Sequence, residues 1–486
     1  MRSSTPRPSL ANLCIGIVAC LLLQSPVLSA VATGREVGDR PNIVMIISDD
    51  QTYTDFGFMG NKDALTPNLD RLARQSTVYP NGYVPSSVCR PSLVTLLTGL
   101  YPHQHLVHFN HPPPGFSTLT KSADIDKKQF DELRQRAAGL IQKVPSLPRE
   151  LARRGYRSFQ TGKYWEGHWR NAGFTDGMTI SEPSGGKNGD KVLAQGDVVA
   201  HGNGDHGLAI GRETMKPIYD FINDCGDTPF FVWYAPFLPH TPHNAPRKYF
   251  ELYKHRKGIP KHRVPYYASI SQFDDTVGEL IEAIQKRDLA ANTVFVFVVD
   301  NGWEPDANQF VKTRGEWDHT KRSKRAPFDY GLRTPILIRW EGRTKTASIP
   351  ELVSSIDVVP TLLAAAGIDT SNFDMPGIDL LPSATGEKTL PPDRAVYGGI
   401  YPGDATSLGN PSGDIAYRWV RQGKFKLIVP HSQNGKPPWN QYLVEPALFD
   451  VVSDPVEVNN LADEGCYLET VVELQQLLDQ WWLPED

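Results

Sequence analysis

The chain has 486 residues, 40% hydrophobic and 22% charged, with a formal net charge of −5. That length is more than one small core needs and suits a large α/β domain with a smaller companion. The slight acid excess and the lack of any long basic run argue against a nucleic-acid partner.

The chain opens with MRSSTPRPSLANLCIGIVACLLLQSPVLSA, in which Arg2 and Arg7 precede an apolar run from Leu13 to Leu23 and small residues at Ser29-Ala30. This is the pattern of a secretory signal peptide over residues 1–30, and the apolar run is too short to span a bilayer comfortably. Ile17-Val18-Ala19-Cys20 also resembles a lipid-attachment site, although Leu21-Leu22-Leu23 carry the apolar run past the cysteine. No later stretch is apolar over 18 residues. The mature protein is therefore expected to be exported, periplasmic or extracellular, with no stable membrane span. Cys14 and Cys20 fall in the leader and Cys89, Cys225 and Cys466 remain, an odd count that leaves at least one outside any disulfide. A Cys225–Cys466 bridge is conceivable.

Residues 41–50, PNIVMIISDD, form a continuous apolar run ending in Asp49-Asp50, which suits a strand buried on both faces. TPNLDRLARQS follows as a helix with Thr66 as N-cap and Pro67 at its first position. Cys89 stands at a helix start, with Leu93, Leu96, Leu97 and Leu100 on one face. SLPRELARRGYRSFQTGKYW reads as helix, a stop at Gly155, a strand, and a loop carrying Lys163. DTPFFVWYAPFLPHTPH is a strand running into a Pro/His loop that holds His240. ASISQFDDTVGELIEAIQKRDL is a long helix, NTVFVFVVDNG a second fully apolar strand ending in Asp300-Asn301, and IDVVPTLLAAAG a further helix. Strands alternating with helices predict a large, mostly parallel sheet flanked by helices over residues 40–385. Beyond that, short strand-like runs and a closing amphipathic helix predict a small α+β domain over 386–486. Long connections at 101–145, 181–211 and 303–323 are the expected rim of a pocket.

Sites in open parallel sheets form beyond the carboxyl ends of the strands. A lone Asp pair there is an ordinary turn. Two buried strands ending in Asp49-Asp50 and Asp300-Asn301 offer a set of hard oxygen donors that suits Ca²⁺ or Mg²⁺ rather than zinc. Cys89, beside the positive end of a helix, would face an anion such as sulfate or phosphate.

In this order, PNIVMIISDD, TPNLDRLA, CRPSLVTLLTG, TGKYWEG, LPHTPH, VVDNG, SKRAPFDYGLRTPILIRWEG and LFDVVSDPVEVNNLA resemble the arylsulfatase-type sulfatases of the alkaline phosphatase superfamily over nearly the whole mature chain. The resemblance implies that Cys89 is oxidised by a formylglycine-generating or maturase enzyme to formylglycine (3-oxoalanine), whose hydrate is the nucleophile. It implies a calcium ion, ahead of magnesium, on Asp49, Asp50, Asp300 and Asn301. It further implies Lys163 and Lys324 on the sulfate, and His240 on both the sulfate and the leaving alcohol. Lys324 stands five residues before Asp329, as the family lysine stands before its Glu-Gly-Gly turn. The substrate would be an aryl sulfate or a sulfated glycan.

Two positions depart from the pattern. The family arginine one turn after the cysteine is Leu93, and the histidine of Gly-Lys-Trp-His is Trp165. Arg90 is a poor stand-in for the first, because an i+1 neighbour points elsewhere on a helix. His168 or a loop histidine such as His103 would have to replace the second. These departures keep two other readings open, a non-catalytic binder of sulfated glycans and a phosphoesterase of the same superfamily.

Overall fold

The computed structural model describes residues 40–485 apart from 114, 116–123, 125, 182–190, 200–204, 313, 402 and 432–441. The leader at 1–30 and its Cys20 alternative lie outside these residues, as do parts of the 101–145 and 181–211 connections. Among the described residues no helix is long and apolar enough to cross a membrane, and Cys89, Cys225 and Cys466 are all free thiols. The described residues form one compact unit.

A nine-stranded sheet runs through its centre. Its principal strands are β1 (Asn42–Ser48), β2 (Thr77–Tyr83), β3 (Arg157–Gly162), β4 (Phe230–Ala235), β5 (Thr293–Val299) and β6 (Arg333–Trp340), in spatial order β2-β6-β5-β1-β4-β3. The neighbours β5, β1, β4 and β3 are mutually parallel, while β6 is antiparallel to both β5 and β2. All seven residues of β1 and of β5 are buried, as strands covered on both faces must be.

Strand side chains alternate between faces, and the core divides accordingly. Ile43, Met45 and Ile47 of β1 join a cluster with Leu93, Leu96 and Leu97 of helix α2 (Cys89–Thr98). Val44 and Ile46 join another with Leu69 and Leu72 of α1 (Pro67–Ala73) and Phe273, Val277 and Ile281 of α3 (Val264–Gln285). The C-terminal part is an antiparallel sheet, β7 (Ala395–Ile400), β8 (Tyr417–Gln422), β9 (Phe425–Pro430) and β10 (Ala447–Asp450), covered by α4 (Leu468–Trp481).

Three local expectations change. Thr66 does not cap α1; its hydroxyl accepts from Gly57 N at 2.9 Å and donates to Asp70 Oδ1 at 3.0 Å. The 101–145 connection contains a twelve-residue helix, Lys127–Ala138, started by an Asp126 side chain that accepts from Gln129 N. The 303–323 connection is a β-hairpin, Pro305–Val311 with Glu316–His319, rather than an open loop.

Candidate active site

Parallel pairing puts the carboxyl ends of β1 and β5 side by side, with Ser48 opposite Val299. Asp49-Asp50 therefore meets Asp300-Asn301. Asp50 N donates to Asp300 Oδ1 at 3.0 Å, and Asn301 Nδ2 donates to Asp50 Oδ1 at 2.7 Å. Asp50 holds φ at 63°, a left-handed backbone that costs energy outside glycine and recurs at functional sites.

On the other flank, β3 ends at Gly162, whose φ is 68° and where any Cβ would lie 1.9 Å from Ala235 O. Only glycine permits that approach, and it delivers Lys163 to the site. Lys163 Nζ donates to Asp49 Oδ1 at 2.6 Å and lies 3.1 Å from Cys89 Sγ. Lys324 Nζ donates to Asp50 Oδ2 at 2.6 Å and sits 3.5 Å from His240 Nε2. The His240 Nε2 atom is in turn 3.3 Å from Asp50 Oδ2. The ligand atoms of Asp49, Asp50, Cys89 and His240 all fall within 4.8 Å of one another. All eight residues singled out from the sequence thus meet at one edge of the sheet.

Charge sorts these groups. Burial works against ionised Asp50, but Lys324 and Lys163 outweigh it and hold its carboxyl below the usual range. Burial, reinforced by the neighbouring carboxylates, pushes Asp49 well up and raises Asp300, even with Lys163 nearby. Burial opposes both ammonium groups, yet Asp49 next to Lys163 and Asp50 next to Lys324 keep them cationic. Burial pushes the Cys89 thiol up to about 12. Burial and the two lysines hold His240 neutral. Its Nδ1 lies 2.6 Å from Thr241 O and must donate there, leaving Nε2 as an acceptor toward Lys324.

Asp49 Oδ2, Asp300 Oδ2 and Asn301 Oδ1 are buried and take no hydrogen bond from the described residues. Three hard, inward oxygens without donors, next to two lysines already spent on the facing oxygens, fit a divalent cation of the Ca²⁺ or Mg²⁺ type.

Two positioning features escaped the sequence reading. Arg212 clamps the His240 loop, with Nε donating to Phe237 O and Nη2 to His240 O, both at 2.8 Å, and Nη1 to Asn244 Oδ1 at 2.7 Å. Phe237 stacks on the His240 ring at 4.3 Å. Arginine's fixed fork explains the residue type, but a Gly-rich loop around it gives no sequence signal. The departures are also placed. Leu93 and Trp165 belong to the same apolar cluster and are 3% and 6% exposed. His103 stacks on Trp482 at 4.6 Å, and His168 Nδ1 accepts from Arg170 N at 3.2 Å. The histidine that meets the Trp165 ring is His111, at 5.3 Å.

A strand-end carboxylate set facing a buried cysteine and two lysines defines a hydrolase centre for an anionic ester. The Sulfatase family model matches residues 41–368, and the model described as N-sulphoglucosamine sulphohydrolase, C-terminal, matches 315–482. The chain belongs to the sulfatase family, the sulfuric ester hydrolases. It is similar to arylsulfatase A of Homo sapiens, at 29% identity over 93% of this chain and 89% of that one. It is also similar to N-acetylgalactosamine-6-sulfatase of Homo sapiens, at 26% identity over 78% and 72%. The ulvan-active sulfatase of Formosa agariphila matches at 25% identity over 93% and 76%. Among solved structures, Ps i-CgsB in complex with k-i-k-neocarrahexaose shares the fold with a TM-score of 0.65 and 21% identity, covering 92% of this chain and 95% of that one.

Proposed function

We propose that this sulfatase removes sulfate from a sulfated glycan or aryl sulfate, using formylglycine derived from Cys89 and a divalent cation, calcium by preference. The observation that carries the reading is the Cys89–Lys163 pair at 3.1 Å, beside three buried oxygens that lack donors. A thiol held near 12 has almost no thiolate at neutral pH and is a poor nucleophile as it stands. Its position is useful once an external maturation enzyme has converted it to the aldehyde, whose hydrate supplies an attacking hydroxyl and a second hydroxyl for release of sulfate.

The chain's own residues divide the remaining work. Asp49, Asp50, Asp300 and Asn301 would hold the cation, which supplies charge stabilisation for the sulfuryl oxygens. Oxygen-only donors match Ca²⁺, and Mg²⁺ would demand stricter octahedral geometry. Lys163 and Lys324, both buried, place fixed positive charge where the sulfate would lie. His240 and Lys324 face each other through Nε2 and Nζ, so a proton held between them is available to the leaving alcohol oxygen. General-acid help of this kind contributes roughly 10²–10⁴-fold in rate. The leader pattern at residues 1–30 places the mature enzyme outside the cytoplasm, and residues 40–385 and 386–486 are its catalytic and companion domains.

The test is mass spectrometry of the residue-89 peptide from the native host, combined with turnover of 4-nitrophenyl sulfate and 4-nitrophenyl phosphate. The aldehyde form is expected at residue 89. Sulfate turnover should exceed phosphate turnover and vanish in Cys89→Ala. Finding only the thiol form, in protein without sulfate turnover, would overturn the reading.

A further inference from the structure

Helix α2 starts at Cys89 with Val88 as N-cap and no capping side chain. An uncapped first turn has free N–H groups and no local anchor. Here the turn is anchored from outside, through Arg90, the only charged residue of the helix. Asn110 Oδ1 accepts from Arg90 N at 3.0 Å, and Arg90 Nη1 donates to Asn110 O at 3.3 Å. The guanidinium then grips Glu166 in a two-point fork, Nε to Oε1 at 2.7 Å and Nη2 to Oε2 at 2.8 Å. The two side chains are 3% and 1% exposed, and Phe109 lies under the guanidinium at 5.1 Å.

Glu166 stands three residues after Lys163, on a loop that is itself fixed. Lys163 N donates to Ala235 O at 2.5 Å, Trp233 Nε1 donates to Lys163 O at 3.2 Å, and Asn171 Nδ2 donates to Glu166 O at 2.8 Å. The helix carrying Cys89 and the loop carrying Lys163 are therefore joined twice, at Arg90–Glu166 and at Cys89–Lys163. One link would leave a hinge between the two elements. Two links set a separation.

We propose that Arg90 and Glu166 form a positioning pair that holds the residue-89 side chain at its working distance from the Lys163 ammonium. The proposal rests on the reading of Cys89 and Lys163 as the reacting pair. One turn after Cys89, Leu93 packs into the apolar core and offers no polar tie. A bidentate pair sealed from water is an expensive way to fill space, since apolar side chains of similar volume pack there at no penalty. Its value lies in direction and distance, to which a reacting centre is sensitive: a displacement of about 1 Å costs roughly 10²-fold in rate.

The test uses the full-length enzyme and 4-nitrophenyl sulfate. Turnover by the wild type and none by Cys89→Ala establishes the underlying reading; a wild type that holds only the thiol at residue 89 and shows no turnover overturns both that reading and this one. Arg90→Met combined with Glu166→Met then removes both charges without orphaning either. The double variant should keep its melting temperature and its aldehyde content at residue 89. Its kcat should fall about 10²-fold, with KM within about threefold of wild type. Arg90→Lys keeps the charge but loses the fork, and should sit about tenfold below wild type in kcat. A folded, converted double variant with kcat within about twofold of wild type overturns the proposal. So does a loss confined to aldehyde content with kcat per converted site unchanged. Should the double variant fail to fold, Arg90→Lys decides, and an unaltered kcat overturns it.

Discussion

Two of the buried ionic clusters among the described residues are built on opposite rules. In one, Lys426 Nζ donates to Asp329 Oδ1 at 2.9 Å and lies 2.9 Å from Glu457 Oε1, which it neutralises by charge rather than by a hydrogen bond, and all three side chains are buried. Tyr83 OH donates to Asp329 Oδ2 at 2.7 Å, Asp329 N donates to Glu457 Oε2 at 2.5 Å, and Arg421 donates to Tyr83 OH. Two carboxylates meet two cations, both oxygens of Asp329 are used, and the cluster ties β9 of the C-terminal sheet to β2 and the turn before β6. In the other cluster, three carboxylates meet two lysines, and oxygens of Asp49, Asp300 and Asn301 go without a donor. A cluster closed on itself holds the fold together. A cluster short of positive charge keeps oxygens that suit a cation.

Asp300→Asn is the largest test of that difference. It removes one inward charge of the open cluster without changing shape. Turnover of 4-nitrophenyl sulfate should fall about 10³-fold, as expected for a lost metal-ion contribution of several kcal/mol. Its melting temperature in chelator should hold or rise, because like charges are relieved. Lys426→Met in the closed cluster should do the reverse. It leaves Asp329 and Glu457 buried with less countercharge, at a cost of about 3–5 kcal/mol, read as a lower urea midpoint. Its kcat per folded molecule should equal that of wild type. If Lys426→Met were harmless and Asp300→Asn unfolded the chain, the distinction between the two clusters would collapse.

Calcium itself gives a smaller effect of the same kind. Protein stripped with chelator should gain melting temperature on titration with Ca²⁺, by about 2.7 kcal/mol of stability once the ion reaches a hundredfold excess over its Kd. Asp300→Asn should lose most of that gain, whereas Lys426→Met should keep it. A melting temperature indifferent to Ca²⁺ and Mg²⁺ in the wild type would remove the cation from the open cluster.

The open cluster was legible in the sequence and the closed one was not, for physical reasons. Fully apolar runs ending abruptly in Asp49-Asp50 and Asp300-Asn301 announce both a doubly covered parallel sheet and the polar edge where it ends. Local pattern and site chemistry coincide there. Lys426 and Asp329, by contrast, are 97 positions apart, and Arg90 and Glu166 are 76 apart. Each looks like an ordinary surface charge until tertiary packing buries it. Arg212 is similar, since its bonds to the His240 loop depend on how that loop folds back. The helix at Lys127–Ala138 could have been found from its Asp126 cap and the Lys127–Asp131 spacing. The histidines at 103–111 and the Pro112–Pro114 run earlier in the same connection favour loop in the sequence.

Asp55 provides the finest control, because it shares one property of the open cluster and lacks the rest. It is 1% exposed, and its Oδ2 also lacks a donor. Yet it faces no second carboxylate at bonding distance, and Arg263, 3.9 Å away, is engaged mainly with Glu304. An orphan oxygen alone does not make a site; a surplus of converging carboxylates does. Burial raises the Asp55 carboxyl to about 7 against Arg263's pull. The folded state therefore holds this proton more tightly than the unfolded chain does. The stabilisation is complete below the unfolded value of 3.8 and is lost as pH rises toward 7. Over that window the loss amounts to about 1.4 kcal/mol per pH unit at most. Asp55→Asn should abolish this part of the pH dependence. It should be near neutral at pH values around 4 and stabilising at pH values around 8 in urea melts, with binding of Ca²⁺ unchanged. If Asp55→Asn instead weakened the Ca²⁺-induced rise in melting temperature, Asp55 would belong to the open cluster, and its boundary would have to be redrawn to include the turn after β1.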